Sequence, residues 1–230
     1  MSPDNVLYQI AVWVIPLVIA IVFHEVAHGY VAWLLGDRTA HRLGRLTLNP
    51  IRHVDPLGTV IVPLMLAIAH APIFGWAKPV PVIPSRMRNP QLDMALVAMA
   101  GPASNLLLGF VAALVFTLAL MSLGNVVPQA GVVRFLLENL SNFLTINVFL
   151  AIFNMLPLPP FDGGHVVAAV LPRSLAASYA KLGRYGFVIM IGLLVVLPTI
   201  APSADVVAQV IGPVADGVQE LFLGAAGALL

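Results

Sequence analysis

The sequence predicts an all-α, multi-pass membrane protein with about four to six transmembrane helices. A re-entrant or embedded hairpin and a few short β-strands near the cytosolic face complete the expected fold. Three observations lead there. Hydrophobic residues make up 60% of the 230 residues and charged residues only 9%, where soluble domains average about 25% charged. Uncharged stretches of roughly twenty residues or more recur, the length that crosses a bilayer core. Most charges border these stretches; Glu25 sits inside one. So few charges cannot cover a water-facing surface, which excludes a soluble globular or disordered chain. A net charge of +1 offers no basic face to nucleic acid. The absence of cysteine excludes disulfides and thiolate metal ligands.

The first span is expected over 8–35. It has no basic leader segment and is far longer than the apolar core of a signal peptide. A second uncharged stretch, 56–77, contains Gly58, Pro63, His70, Pro72 and Gly75 and makes a poor straight helix. A third helix is expected over 92–123, ended by Gly124 and a turn at Pro128. A fourth covers 133–156, stopped by Pro157, Pro159 and Pro160, and a last one covers 185–199. Residues 1–204 read as one membrane-embedded domain. Residues 205–230, carrying only acidic charges, read as an amphipathic or surface tail.

Basic residues concentrate on the cytosolic side of membrane proteins. If 56–74 dips into the membrane and returns, ten of the eleven bases fall on one side and only Arg134 lies outside it. If 56–74 spans, two adjacent basic segments face opposite sides. The re-entrant reading is preferred, with the N-terminus outside and the basic loops cytosolic. Irregular backbone at membrane depth must be shielded by protein or line a wet cavity.

Inside the first span the chain reads Phe23-His24-Glu25-Val26-Ala27-His28. Histidines four apart share a helix face, so both imidazoles can reach one metal ion. The glutamate beside them is placed to take a proton from water at that metal. Three ionisable groups within five residues would be costly in a bilayer, at about 2.5–3.5 kcal/mol for each charged residue on insertion scales. A bound zinc ion would satisfy both histidines. A catalytic zinc usually takes three protein ligands. The strongest third candidate is Asp162, in Asn154-Met155-Leu156-Pro157-Leu158-Pro159-Pro160-Phe161-Asp162-Gly163-Gly164-His165. The first and fourth spans both run inward, so His24, His28 and Asp162 fall at similar depth near the cytosolic face. His165 is the rival ligand. Asp55, Asp93 and His53, beside basic loop residues, are expected to face water, and Glu138 lies at the wrong depth.

At these residues the chain resembles the site-2 protease family of intramembrane zinc metalloproteases, in particular its short prokaryotic members. His24-Glu25-Val26-Ala27-His28 is similar to the family's zinc-binding helix. Gly101-Pro102-Ala103-Ser104-Asn105 resembles its middle-helix motif, and 154–163 its Asn-x-x-Pro-x-Pro…Asp-Gly element. Phe161 stands where relatives often have Leu, and Leu106 where several have Pro or Gly. The resemblance implies His24, His28 and Asp162 as ligands of one zinc ion per chain and Glu25 as catalytic base. It also implies that Asn105 positions substrate or steadies an oxyanion. Neither a PDZ nor a CBS domain is expected in this length. The implied reaction is peptide-bond hydrolysis in or near transmembrane segments of membrane-protein substrates, in the inner cell membrane with the site toward the cytosol. Segments 39–48 and 77–84 are expected to be extended, and the resemblance implies strand-like presentation of substrate there. The lipid bilayer is the other partner and no nucleic acid is expected; the sequence leaves oligomeric state open. An ion or proton transporter and a non-catalytic zinc-stabilised scaffold are the competing classes.

Overall fold

The computed structural model describes residues 5–68 and 75–230. Its frame is three long helices: α1 (Val6–Leu34), α4 (Pro90–Ser122) and α5 (Val132–Asn154). Shorter helices fill the connections: α2 (Thr39–Arg42), α3 (Val62–Ile68), α6 (Asp162–Val170), α7 (Arg173–Ala180), α8 (Gly186–Ile191) and α9 (Leu197–Ile200). The chain ends in α10 (Gly212–Leu229). Among the described residues, α1, α4 and α5 are long and apolar enough to cross a membrane. The helical pair Ser174–Tyr185 and Val188–Ile200, bent by 70°, would make a fourth span if taken as one. The expected positions of the long spans agree with the observed helices to within about two residues.

The frame explains its own geometry. The buried residues of α1 include Tyr8, Val12, Pro16, Ala20, His24, His28 and Ala32, a stripe in steps of four that faces α4 and α5. Outside the stripe, Leu7, Ile10, Trp13, Val14, Ile15 and Ile19 are exposed. An apolar surface on every other side of a helix is what lipid, not water, solvates. Pro16 lies inside α1 and cannot donate to the Val12 carbonyl four residues back. Asn142 of α5 supplies the missing donor, its Nδ2 bonding Val12 O at 2.8 Å. Small residues bring the helices together: Ala112 and Ala113 of α4 and Ala215 and Ala226 of α10 are buried in one cluster with Leu144 and Val148 of α5. Close packing through small side chains is how helices associate where no hydrophobic force separates them from lipid. The C-terminal helix is thus packed on the bundle through its alanine face, with Phe222 edge-on to Phe110 and Gln219 bonded to Thr145.

Of the segment 56–74, expected to re-enter, residues 56–68 are described; 69–74 lie outside the described residues. Asp55 accepts from the N–H groups of Leu57 and Gly58 and starts a π-helical turn, Pro56–Ile61, that runs into α3. The returning chain meets this start. Trp76 N–H bonds Gly58 O at 3.1 Å, Lys78 N–H bonds His53 O at 2.8 Å, and Thr59 Oγ1 donates to Trp76 O. The two ends of the hairpin therefore lie together, whereas a span would hold them roughly 30 Å apart.

The expected short β-strands are absent among the described residues. Thr39–Arg42 is a helical turn, and 77–83 forms no strand. Pro79, Pro81 and Pro84 have no N–H to donate, and three of the segment's N–H groups bond outside it: Lys78 to His53, Val80 to the Glu25 carboxylate at 2.8 Å and Ile83 to Asp37 at 2.6 Å. His53 and Asp93, expected to face water, are buried. Each has a structural bond, His53 Nε2 with Thr47 O and Asp93 Oδ2 with the N–H of Asn89, which closes the first turn of α4.

Asp37 is fully buried. Burial pushes its carboxyl pKa up, but bonds from the Thr39 hydroxyl and the Ile83 and Thr39 N–H groups, with Arg86 nearby, hold it below its ordinary value. A depressed carboxylate stabilises the fold above its unfolded pKa of about 3.9, and that stability is lost as pH falls through the lower native value. Asp37→Asn is therefore expected to speed hydrogen exchange at 80–83 at neutral pH, where the wild type stays protected until strongly acidic solution. Asn142→Leu should lower unfolding stability in detergent by about 1–3 kcal/mol. Adding Pro16→Ala, which restores an N–H for Val12 O, should recover part of that loss.

Candidate metal centre

Three elements build the site. The α1 stripe turns His24 and His28 inward, one helical turn apart. Opposite them α4 carries Gly101, where a Cβ would lie 2.4 Å from His28 Nε2 and 2.5 Å from His24 Cε1. Only a residue with no side chain leaves room there for two imidazoles. The third element is the turn after α5. Its prolines end the helix, and bonds from Leu158 N–H to Leu156 O and from Phe161 N–H to Leu158 O fold it back. Phe161 is buried and edge-on to Phe153 at 4.7 Å, which anchors the residue next to Asp162. Gly163 lets α6 begin against this turn: a Cβ on it would lie 2.3 Å from Met155 O.

Asp162 thereby reaches both histidines. Its Oδ2 is 3.1 Å from His24 Nε2 and 3.3 Å from His28 Nε2, and the two Nε2 atoms are 3.0 Å apart. His24, His28 and Asp162 form the one group with metal-ligand geometry among the described residues. His165 lies outside it, exposed on α6 and lining an open cavity of about 310 Å³ with Gln91 and Met94 of α4.

The hydrogen bonds on the far side of each ring decide what these atoms can do. His28 Nδ1 faces Val97 O at 2.6 Å. A carbonyl only accepts, so Nδ1 carries the hydrogen and Nε2 presents a bare lone pair. His24 Nδ1 faces Asn105 Oδ1 at 2.6 Å, with the same consequence. Two bare nitrogens and a carboxylate oxygen thus converge, and Asp162 Oδ2 is buried with no hydrogen-bond donor. Three bare acceptors in mutual contact repel one another unless a cation or a proton lies between them. Zinc bonds of about 2.0–2.1 Å in a tetrahedron separate ligand atoms by about 3.3 Å, close to the observed spacing. Two imidazoles, a carboxylate and no thiolate fit zinc.

Glu25 lies half-buried beside this group, its Oε2 accepting the Val80 N–H. Asn105 is fully buried. Its oxygen faces His24 and its Nδ2 donates to Asn147 Oδ1 at 2.7 Å and Ala20 O at 3.3 Å, so no amide hydrogen is left over for a substrate oxyanion. The sequence reading missed Gly101, the Val97 carbonyl, the Val80 N–H and Asn147. Only Gly101 left a sequence signal, since it opens the same five-residue motif as Asn105.

A model of peptidase family M50 matches residues 125–197. "Putative zinc metalloprotease YwhC" of Bacillus subtilis is 40% identical over 182 residues, 79% of this chain and 79% of that protein. The chain belongs to peptidase family M50, the site-2 protease family. "Putative zinc metalloprotease Rip2" of Mycolicibacterium smegmatis is 29% identical over 187 residues, 81% of this chain and 66% of that protein. Its Mycobacterium tuberculosis (strain H37Rv) counterpart is 30% identical over 192 residues, 83% of this chain and 67% of that protein. The chain thus spans about two thirds of the Rip2 length. No solved structure matches the chain. The M50 match contains Asp162 but begins well after His24 and His28; it is the fold that joins the two parts of the site.

Gly101→Ala is expected to displace both imidazoles and leave the purified protein with well under one zinc per chain. Gly217→Ala, whose Cβ would meet nothing within 4 Å, should keep its zinc.

Proposed function

We propose that this M50 protein is an intramembrane zinc metalloendopeptidase that hydrolyses peptide bonds in or near transmembrane segments of membrane-protein substrates. The observation that carries the reading is the convergence of His24 Nε2, His28 Nε2 and Asp162 Oδ2 inside an apolar bundle, with Glu25 beside them. His24, His28 and Asp162 would hold one zinc ion. Zinc, when bound there, supplies a Lewis acid that acidifies water and polarises a peptide carbonyl.

The protein supplies the rest. Glu25 takes the proton of the attacking water and passes it to the nitrogen of the leaving amine. Its Oε2 is held by Val80 N–H, which fixes the carboxylate and leaves the other oxygen for the proton. The His28–Val97 and His24–Asn105 bonds keep both rings in the ligating tautomer. The bonds from Trp76 N–H to Gly58 O and from Lys78 N–H to His53 O support re-entry from one side of the membrane. With it the basic loops gather on the cytosolic face of the inner membrane, and water reaches the site from that side. Substrates then come from the bilayer, as helices whose backbone must unwind before a carbonyl is free to react.

The test uses protein purified in detergent, metal analysis and a reconstituted single-span membrane protein with glycine and proline in its transmembrane segment. Glu25→Gln should retain zinc and lose cleavage by at least a hundredfold. Asp162→Ala should lose both zinc and cleavage. Cleavage by Glu25→Gln at the wild-type rate would end the proposed mechanism, and wild-type protein without zinc would end the metal assignment.

A further inference from the structure

A polar chain runs from the metal centre into α5. His24 Nδ1 bonds Asn105 Oδ1, Asn105 Nδ2 bonds Asn147 Oδ1, and Asn147 Nδ2 bonds Phe143 O at 2.8 Å. Both asparagines are fully buried, so no solvent can replace a lost partner.

The direction of the chain is set at its ends. Phe143 O is a backbone carbonyl and only accepts, so Asn147 must turn its NH₂ toward it and its oxygen toward Asn105. Asn105 must then turn its NH₂ toward Asn147, and a second carbonyl, Ala20 O, demands the same orientation. The Asn105 oxygen is left facing His24, and His24 must carry its hydrogen on Nδ1. Flipping either amide would set acceptor against acceptor at about 2.7 Å, a buried conflict costing about 1–3 kcal/mol for each unsatisfied group. With Asn105 flipped, the His24 hydrogen would move to Nε2 and point at Asp162 and His28, where it would block a metal.

We infer that Asn147 is a positioning residue of the metal centre: through Asn105 it sets which nitrogen of His24 carries the hydrogen, and so presents the bare Nε2 to the metal. Asn105 acts through His24 in the same way. The inference rests on the metal-site reading above. It differs from the ordinary role of a buried amide in a membrane bundle, which is to bond one helix to the next. Such a bond would affect stability but not the histidine tautomer.

The experiment compares wild type with Asn147→Leu and Asn147→Asp in detergent, with ¹⁵N-labelled histidine. Nitrogen chemical shifts of the metal-free protein report the His24 tautomer, and zinc titration against a chelator reports affinity. Wild type should carry the His24 hydrogen on Nδ1. Asn147→Leu leaves only the longer 3.3 Å bond to Ala20 O to orient the Asn105 amide, so it should show a tautomer mixture and bind zinc about ten- to a hundredfold more weakly. Asn147→Asp, neutral in this apolar setting and offering the same donor and acceptor, should restore both. Asn147→Leu with wild-type tautomer and affinity, and only a lower melting temperature, would overturn the inference and leave Asn147 a helix tie. Should Asn147→Leu not fold, Asn147→Thr can still donate to Phe143 O four residues back but is too short to reach Asn105. It should show the same tautomer mixture, and wild-type zinc affinity in it would equally overturn the inference. Wild-type protein with the Nδ1 tautomer but no affinity for zinc would support the hydrogen-bond direction and sink the metalloprotease reading.

Discussion

Everything in this protein is arranged around one electrostatic problem: two imidazole nitrogens and a carboxylate oxygen, all acceptors, held within 3.3 Å of one another in a bundle whose outer surface is apolar. In water such a group would relax by rotating a ring or recruiting solvent. Here neither is open. Each ring is pinned at Nδ1, by Val97 O or by Asn105, and the opposing helix comes in at a glycine. A divalent cation between the three atoms would relieve their mutual repulsion. On the proposed function this is preorganisation for a metal, with the cost met by folding rather than by the binding event.

The helices that hold this group are spaced by small residues and corrected by polar ones. Pro16 breaks the α1 hydrogen-bond ladder on the face that turns toward α5, and Asn142 repairs it across the helix interface. Asn105 and Asn147 join α1, α4 and α5 close to the metal ligands. A buried amide in lipid must find a partner, so each such bond also fixes helix rotation. Rotation of α1 by one residue, about 100°, would carry His24 and His28 off the interface, and the ties at Val12 and Ala20 oppose it.

Segment 77–83 shows how one stretch can read as a strand and not be one. Prolines at alternate positions leave N–H groups at Lys78 and Val80 on one edge, and both are already bonded, to His53 O and to Glu25. Arg45 holds the Lys78 carbonyl. The segment is a strap across the C-terminal part of α1, and its central donor rests on the residue proposed as the base. On the proposed function, a substrate chain pairing with Val80 N–H would have to displace the Glu25 carboxylate first.

Much of this was legible in the sequence because it is local. The span positions follow from apolar length, and the shared face of His24 and His28 from helix geometry. The shortage of charge made Glu25 conspicuous, and Gly163 beside Asp162 marked a close approach. The sequence could not rotate α1: that helix is apolar all round, so hydropathy carries no phase, and the four-residue stripe appears only when α4 and α5 pack on it. Nor could it predict the burial of His53 and Asp93, or rank Asp162 above His165 by contact, since the turn of 155–161 decides which side chain arrives. The part of Asn147 was invisible for the same reason. A lone asparagine in an apolar helix has no meaning until the fold shows which carbonyl it must face. The sequence by itself determined the solvent, the spans and the paired histidines. Only the tertiary structure decided the third acceptor, the tautomers and the hydrogen-bond direction, because these depend on atoms from helices far apart in the chain.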